Sequence, residues 1–277
     1  MHPLSQAPEP RVEPVIRSSA MTQFVETMAM MAPLADHEMG RAWRWRDDGE
    51  DLEVRDIYHR TLEAEMAQLA AIEASREWNE PIEAMAQAQR AAGTVLGLLV
   101  GQPDDVLDFT PAPEDWPLRE VVRHMLQTEM SFCASTRWAV ERTDDQPLAL
   151  PKELRPTDRE APGDGGIAEL VGRLLAARAA TDAALSGLSH DDLEKPSLWA
   201  GYLVDVRFRL HRFASHLTEH GIHAEKVLRA AGLEPAEARQ MVRAIWGARG
   251  AHERRCPAAV LARLDAEYAA TLASSGF

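Results

Sequence analysis

Apolar residues recur every three or four positions along most of this chain, the repeat of a helix that buries one face. The opening residues, 1–18, are Pro-rich and polar and read as a disordered arm. Helical text follows at Thr22–Met39, where Met28, Met31 and Met39 read as core filler. After turn-forming residues at Asp47–Asp51, a second helix covers Val54–Ser75, with Ile57, Leu62, Leu69 and Ile72 on its apolar side. A third opens at Glu80–Pro81, where proline suits a first turn, and runs to Val100. A loop leads to a fourth helix over 117–142, whose Leu118, Val121, Val122, Met125, Glu129 and Phe132 share one face.

The stretch 144–166 is long and Pro-rich, enough to carry the chain from one end of a bundle to the other. Ile167–Leu188 is a fifth helix, and Leu193–Tyr202, with Pro196 and Gly201, reads as a connector. The sixth helix, 204–231, ends at Gly232 with Pro235 beyond it, a natural stop signal. Two more helices are expected at 236–246 and 257–273. The pattern predicts an all-α protein whose central unit, 77–233, is a four-helix bundle of 80–100, 117–142, 167–188 and 204–231. A helical hairpin (19–76) and a C-terminal helical extension (234–277) flank it.

Composition adds limits. The chain has 277 residues, 30 Lys and Arg against 44 Asp and Glu, and a formal charge of −14. Such a field repels phosphate backbones, so no nucleic-acid partner is expected. Cys133 and Cys256 make no CxxC pair, which suits a reducing compartment. No apolar run reaches membrane-spanning length and the opening lacks a signal-peptide pattern, so a cytoplasmic protein without a membrane partner is expected.

The chemistry concentrates in the sixth helix. His216 and His220 stand four apart, so they project from one face one turn apart and form a bidentate metal clip. Two ligands rarely hold a divalent ion tightly, so a third is needed.

The segments Trp116–Glu129 and Arg207–Lys226 carry a resemblance. Trp116-Pro117-Leu118-Arg119-Glu120-Val121-Val122-Arg123-His124 is similar to a WxxREVVxH-type second helix. His216 and His220 match an HxxxH pair on a fourth helix. Together, over roughly 80–232, they resemble the DinB-like (YfiT-like) metalloenzyme family. The resemblance implies a four-helix bundle of up-down-down-up topology, and a divalent ion, zinc or nickel, held by His124, His216 and His220. It also implies a small-molecule substrate and a low-molecular-weight thiol or water as nucleophile, in a thiol S-transferase or hydrolase. The alternative is a non-catalytic bundle that binds metal or a small molecule and works by interaction, for example as a homodimer. No catalytic side chain beyond the ligands can be named.

Other residues stay open. Arg209 and Arg212 lie on the ligand side of the helix and could line the pocket and hold a carboxylate, or pair with Glu120, Glu129 or Asp205, the reading preferred here. His223 shares the stripe of His216 and is either pocket lining or exposed. Glu219 reads as solvated, although His216–His220 spells the HxxEH pattern of inverted zinc proteases. Gly221, in mid-helix, either allows a close approach or is tolerated. Cys133, nine residues after His124, lies about 180° round the helix and is no ligand.

Val54–Met66 also lies on Leu118–Met130 without a gap, with Arg, Leu, Glu and Met coinciding at the second, ninth, twelfth and thirteenth places. Two amphipathic helices in an acidic protein look alike by chance, and that is the reading sequence alone supports. Arg60 stands where His124 does and cannot release its proton to bind a metal, so the N-terminal hairpin is expected to be metal-free.

Overall fold

The computed structural model describes residues 19–45, 52–75, 78–157 and 162–276, so the opening arm and the Asp47–Asp51 turn lie outside the described residues. In chain order the main elements are α1 (Ser19–Met31), α2 (Asp36–Met39), β1 (Ala42–Trp43), β2 (Leu52–Glu53), α3 (Arg55–Ala74), α4 (Glu80–Leu99), α5 (Leu118–Glu141) and α6 (Ile167–Leu185). They continue with β3 (Pro196–Trp199), β4 (Tyr202–Asp205), α7 (Val206–Ala230), α8 (Glu237–His252) and α9 (Ala258–Ser274).

The central bundle is α4, α5, α6 and α7. Contacts fix its directions. Arg207, at the start of α7, bonds Glu80 at the start of α4, so the two run parallel. Arg119, early in α5, donates to the carbonyl of Gly165 just before α6, and these also run parallel. Lys226 near the end of α7 pairs with Asp115 just before α5, so α5 and α7 are antiparallel. The topology is therefore up-down-down-up. It follows that 142–166 must return along the bundle, since a 24-residue helix is about 36 Å long.

Local signals set the ends. Asn79 caps α4 by accepting from the Ile82 amide, and Asp205 caps α7 by accepting from the Phe208 amide. Gly232, at φ 80°, closes α7, with the Leu233 amide donating to the Leu228 carbonyl. Three expectations change. The helix at 22–39 is broken after Met31, because Pro33 cannot continue the hydrogen-bond ladder. Helix α8 runs on to His252, past Gly247 and Gly250, because those glycines face α4. A Cβ at Gly250 would overlap the backbone of Gln89, and one at Gly93 that of Trp246. Close packing outweighs the poor helix propensity of glycine here. The connector before α7 holds a hairpin, β3 with β4, in register Trp199↔Tyr202. Its two turn residues, Ala200 and Gly201, both have positive φ, the conformation that matches strand twist.

The flanking helices do not form a separate hairpin and extension. α3 lies along α8, and α1 along α9, so the two chain ends are paired with each other. One apolar core runs from Phe24, Met28 and Met31 through Leu96 and Leu99 to Val121 and Val227, and a second cluster around Phe132, Leu210 and Phe213 fills the other end of the central bundle. No helix among the described residues is long and apolar enough to cross a membrane.

Candidate metal centre

His124 on α5 faces His216 and His220 on α7. One ligand nitrogen from each lies within 4.8 Å of the other two. His124 Nε2 is 3.1 Å from His216 Nε2, and the ring centroids are 4.4–5.1 Å apart. Nitrogens bound about 2.1 Å from a tetrahedral ion sit about 3.4 Å apart, so little movement would bring these three onto one ion. The Nδ1 of His220 is buried and has no hydrogen-bond partner.

Electrostatics keeps the imidazoles neutral. His216 is only 6% exposed. Burial, then the neighbouring His220 and His124, push its pKa down to about 3. Burial, then His124 and His223, push His220 down to about 4, and burial and Arg123 lower His124. Neutral imidazoles present lone pairs at pH 7, as a metal requires.

Aromatic rings frame the triad. Phe132 packs 5.3 Å from His216 and touches Trp199 and Phe213 on its far side. Trp116, 45% exposed, stands edge-on to His124 at 5.2 Å and nearly parallel to His220 at 6.5 Å. His223 stacks on Trp116 at 6.1 Å and lies 6.2 Å from His220, so it belongs to this wall. The wall residues Phe132, Trp199 and Trp116 were not foreseen as site residues. Trp116 could have been, because it opens the same motif that ends in His124.

The two arginines differ from expectation. Arg209 is buried and donates to the Ser197 hydroxyl and the Leu198 carbonyl, so it ties β3 to α7, and its guanidinium lies 5.8 Å from the Trp199 ring centroid. Burial without a carboxylate partner lowers its pKa to about 10. Arg212 donates both terminal nitrogens to Glu219, at 2.7 and 2.8 Å, rather than to the carboxylates predicted. Those have other partners: Glu120 binds Arg123, Glu129 binds Arg178, and Asp205 caps α7. Glu219 is thus held at the surface by Arg212, which lowers its pKa, and is not placed as the base of a protease. A Cβ on Gly221 would lie 3.1 Å from Val95 Cγ2, so the glycine serves a close approach of α7 to α4. Cys133 sits by Thr181, with its thiol pKa raised by burial, outside the triad.

Beneath the triad lies a buried ionic cluster. Arg178 on α6 pairs with Glu129 at 2.8 Å and Asp182 at 2.5 Å, all three nearly inaccessible. Its guanidinium also lies over the Phe213 ring at 5.1 Å. This cluster ties α6 to α5 and, through Phe213 and Phe132, supports His216. Two cavities of about 190 and 210 Å³ lie where α8 meets the bundle, and neither is lined by the triad.

Residues 87–224 match the family model described as the DinB superfamily. This chain belongs to the DinB superfamily. The match starts in α4 and ends in α7 just past His220, so all three histidines lie within the DinB segment. No curated protein matches the chain. Among solved structures it is similar to YfiT from Bacillus subtilis, described as a probable metal-dependent hydrolase with an unusual four-helix bundle topology. The identity is 15% and the TM-score 0.46, over 58% of this chain and 93% of that one.

Proposed function

We propose that this DinB protein is a metal-dependent enzyme in which His124, His216 and His220 hold one divalent ion, zinc or nickel, beside a low-molecular-weight thiol or a water as nucleophile. The observation that carries the reading is the convergence of three imidazoles that burial keeps neutral. Imidazole donors suit both metals, and three protein ligands leave positions for a reactant, unlike the four that close a structural zinc site. Such an ion, when bound, acts as a Lewis acid and makes a coordinated thiol or water easier to deprotonate. The chain's own part is to fix the rings. Phe132 and the Arg178 cluster support His216 from within, while Trp116 and His223 wall the outer side and offer an apolar face to a small substrate. The reaction class is then transfer to a thiol sulfur or hydrolysis.

The test is turnover. Metal-replete protein should accelerate the reaction of small thiols with an aromatic electrophile, or hydrolysis of an activated ester or amide. A chelator should abolish the rate, and His216→Ala should lack it. Equal rates from the wild type and His216→Ala would exclude metal-site chemistry. Saturation with metal without turnover would favour a binding bundle acting through interaction.

A further inference from the structure

The chain segments outside the DinB match share a plan with the segment inside it. At one end of the central bundle lie the end of α4, the starts of α5 and α6, and the end of α7. Among the flanking helices the same arrangement recurs. The Tyr58 hydroxyl, early in α3, donates to the Met31 carbonyl at the end of α1. Arg55 at the start of α3 pairs with Glu237 at the start of α8. Arg41, just past α2, donates to the Ser275 carbonyl at the end of α9. So α1, α3, α8 and α9 run up, down, down and up. The pairing repeats too: α3 lies along α8 as α5 lies along α6, and α1 along α9 as α4 along α7.

The sequence follows the same correspondence. Arg55, Leu62, Glu65 and Met66 of α3 match Arg119, Leu126, Glu129 and Met130 of α5. Without a gap, Val242, Ala248, Arg249 and Ala251 of α8 match Val171, Ala177, Arg178 and Ala180 of α6. These two alignments are independent, and together they place the same ion pair. Arg249 Nη1 meets Glu65 Oε1 at 2.9 Å where Arg178 Nη1 meets Glu129 Oε1 at 2.8 Å. In each case Nη2 of the arginine binds a second carboxylate at 2.5 Å and the guanidinium lies over a phenylalanine ring. His252, which aligns with Thr181, contacts the other oxygen of Glu65. The second carboxylate differs in origin, Asp265 from α9 against Asp182 from α6 itself.

We infer that the two chain ends fold together as a second bundle of the DinB plan, with the first inserted between its second and third helices, and that this second bundle binds no metal and serves as the built-in partner of α4. Chance likeness of two helices, sufficient for α3 and α5 alone, does not explain a shared topology, two matched helix pairs and one repeated buried ion pair. Arg60 takes the place of His124, and α9 contains neither His nor Cys. Trp43, on β1, is 4% exposed, stacks on Trp45 and donates to the Ser274 hydroxyl at the end of α9. The face of the second bundle that the first needs is α8, whose glycines mesh with those of α4.

Hydrogen exchange on the full chain tests this, with wild type compared to Glu65→Gln. Unpairing Arg249 should speed exchange roughly 10- to 100-fold in α1, α3 and α9 together, at opposite ends of the sequence, while α5, α6 and α7 are unchanged. Tyr268→Phe, which removes only a hydroxyl bond to Glu65, should give the same pattern more weakly if Glu65→Gln does not fold. The mirror variant Glu129→Gln should loosen α5 and α6 and spare α1 and α9. Faster exchange confined to α3, or spread evenly over both bundles, would overturn the inference. So would a second ion per chain in metal analysis.

Discussion

Around Glu129 and around Glu65 the chain buries the same arginine–carboxylate pair, yet what stands one or two turns away differs. In the first bundle three imidazoles converge, His124 Nε2 lying against His216 Nε2 and His220 Nδ1 without a partner, and the half-exposed Trp116 stands at their edge. In the second, Glu65 is fully enclosed and takes hydrogen bonds from Arg249, His252 and Tyr268. The Glu65 carboxylate is thus well partnered, while single buried atoms stay unpartnered around both ion pairs: Arg249 Nε, His252 Nδ1 and Asp265 Oδ2 in the second bundle, Arg178 Nε and Asp182 Oδ2 in the first. The ion pair is common to both bundles, and the three converging histidines are what the first one adds.

The largest expected effect tests the shared part. Arg249→Ala leaves two carboxylates buried without their cation and should cost about 3–5 kcal/mol in urea unfolding, and Arg178→Ala should cost a similar amount. A large loss from one and none from the other would mean the clusters are not equivalent.

A smaller effect separates the regions by pH. Burial raises the Asp265 pKa to about 6 despite Arg249, with Glu65 from α3, Tyr268 on its own helix and His252 from α8 around it. An acid whose folded pKa lies above its unfolded value favours the folded state while protonated, and that contribution is lost as pH rises through about 6. Asp265→Asn keeps the hydrogen bond but cannot ionise. Relative to it, the wild type should lose about 1–3 kcal/mol between pH 4 and 7. A difference that stays flat over that range contradicts the assignment. The histidines of the first bundle act with the opposite sign. Their depressed pKa values make the metal-free protein lose stability as pH falls below about 6.5, the ordinary imidazole value.

The smallest effect is optical. Trp116 is the tryptophan that stacks on the triad, so adding nickel should quench fluorescence in the wild type and much less in Trp116→Phe. Equal quenching in both would move the ion away from this ring.

Much of the site could be read from the sequence because it is local. The spacing of His216 and His220 fixes their common face whatever surrounds them, and His124 was reachable through the motif that begins at Trp116. Long-range facts were not. Nothing near Arg209 announces that a hairpin will fold back and offer Ser197 and the Leu198 carbonyl, although Ala200-Gly201 between Trp199 and Tyr202 was a turn signal. The extension of α8 through Gly247 and Gly250 depends on α4, more than 140 residues earlier. The pairing of the chain ends joins segments separated by the whole first bundle, and a gapless match between two helices could not show it until Arg249 was seen beside Glu65.

Metal content is the most direct measurement. Untagged protein, dialysed and analysed for transition metals, should carry one zinc or nickel per chain, and His124→Ala, His216→Ala and His220→Ala should each fall well below that while remaining folded. If all three variants keep a full equivalent, the ion is held elsewhere and the assignment of this site is wrong.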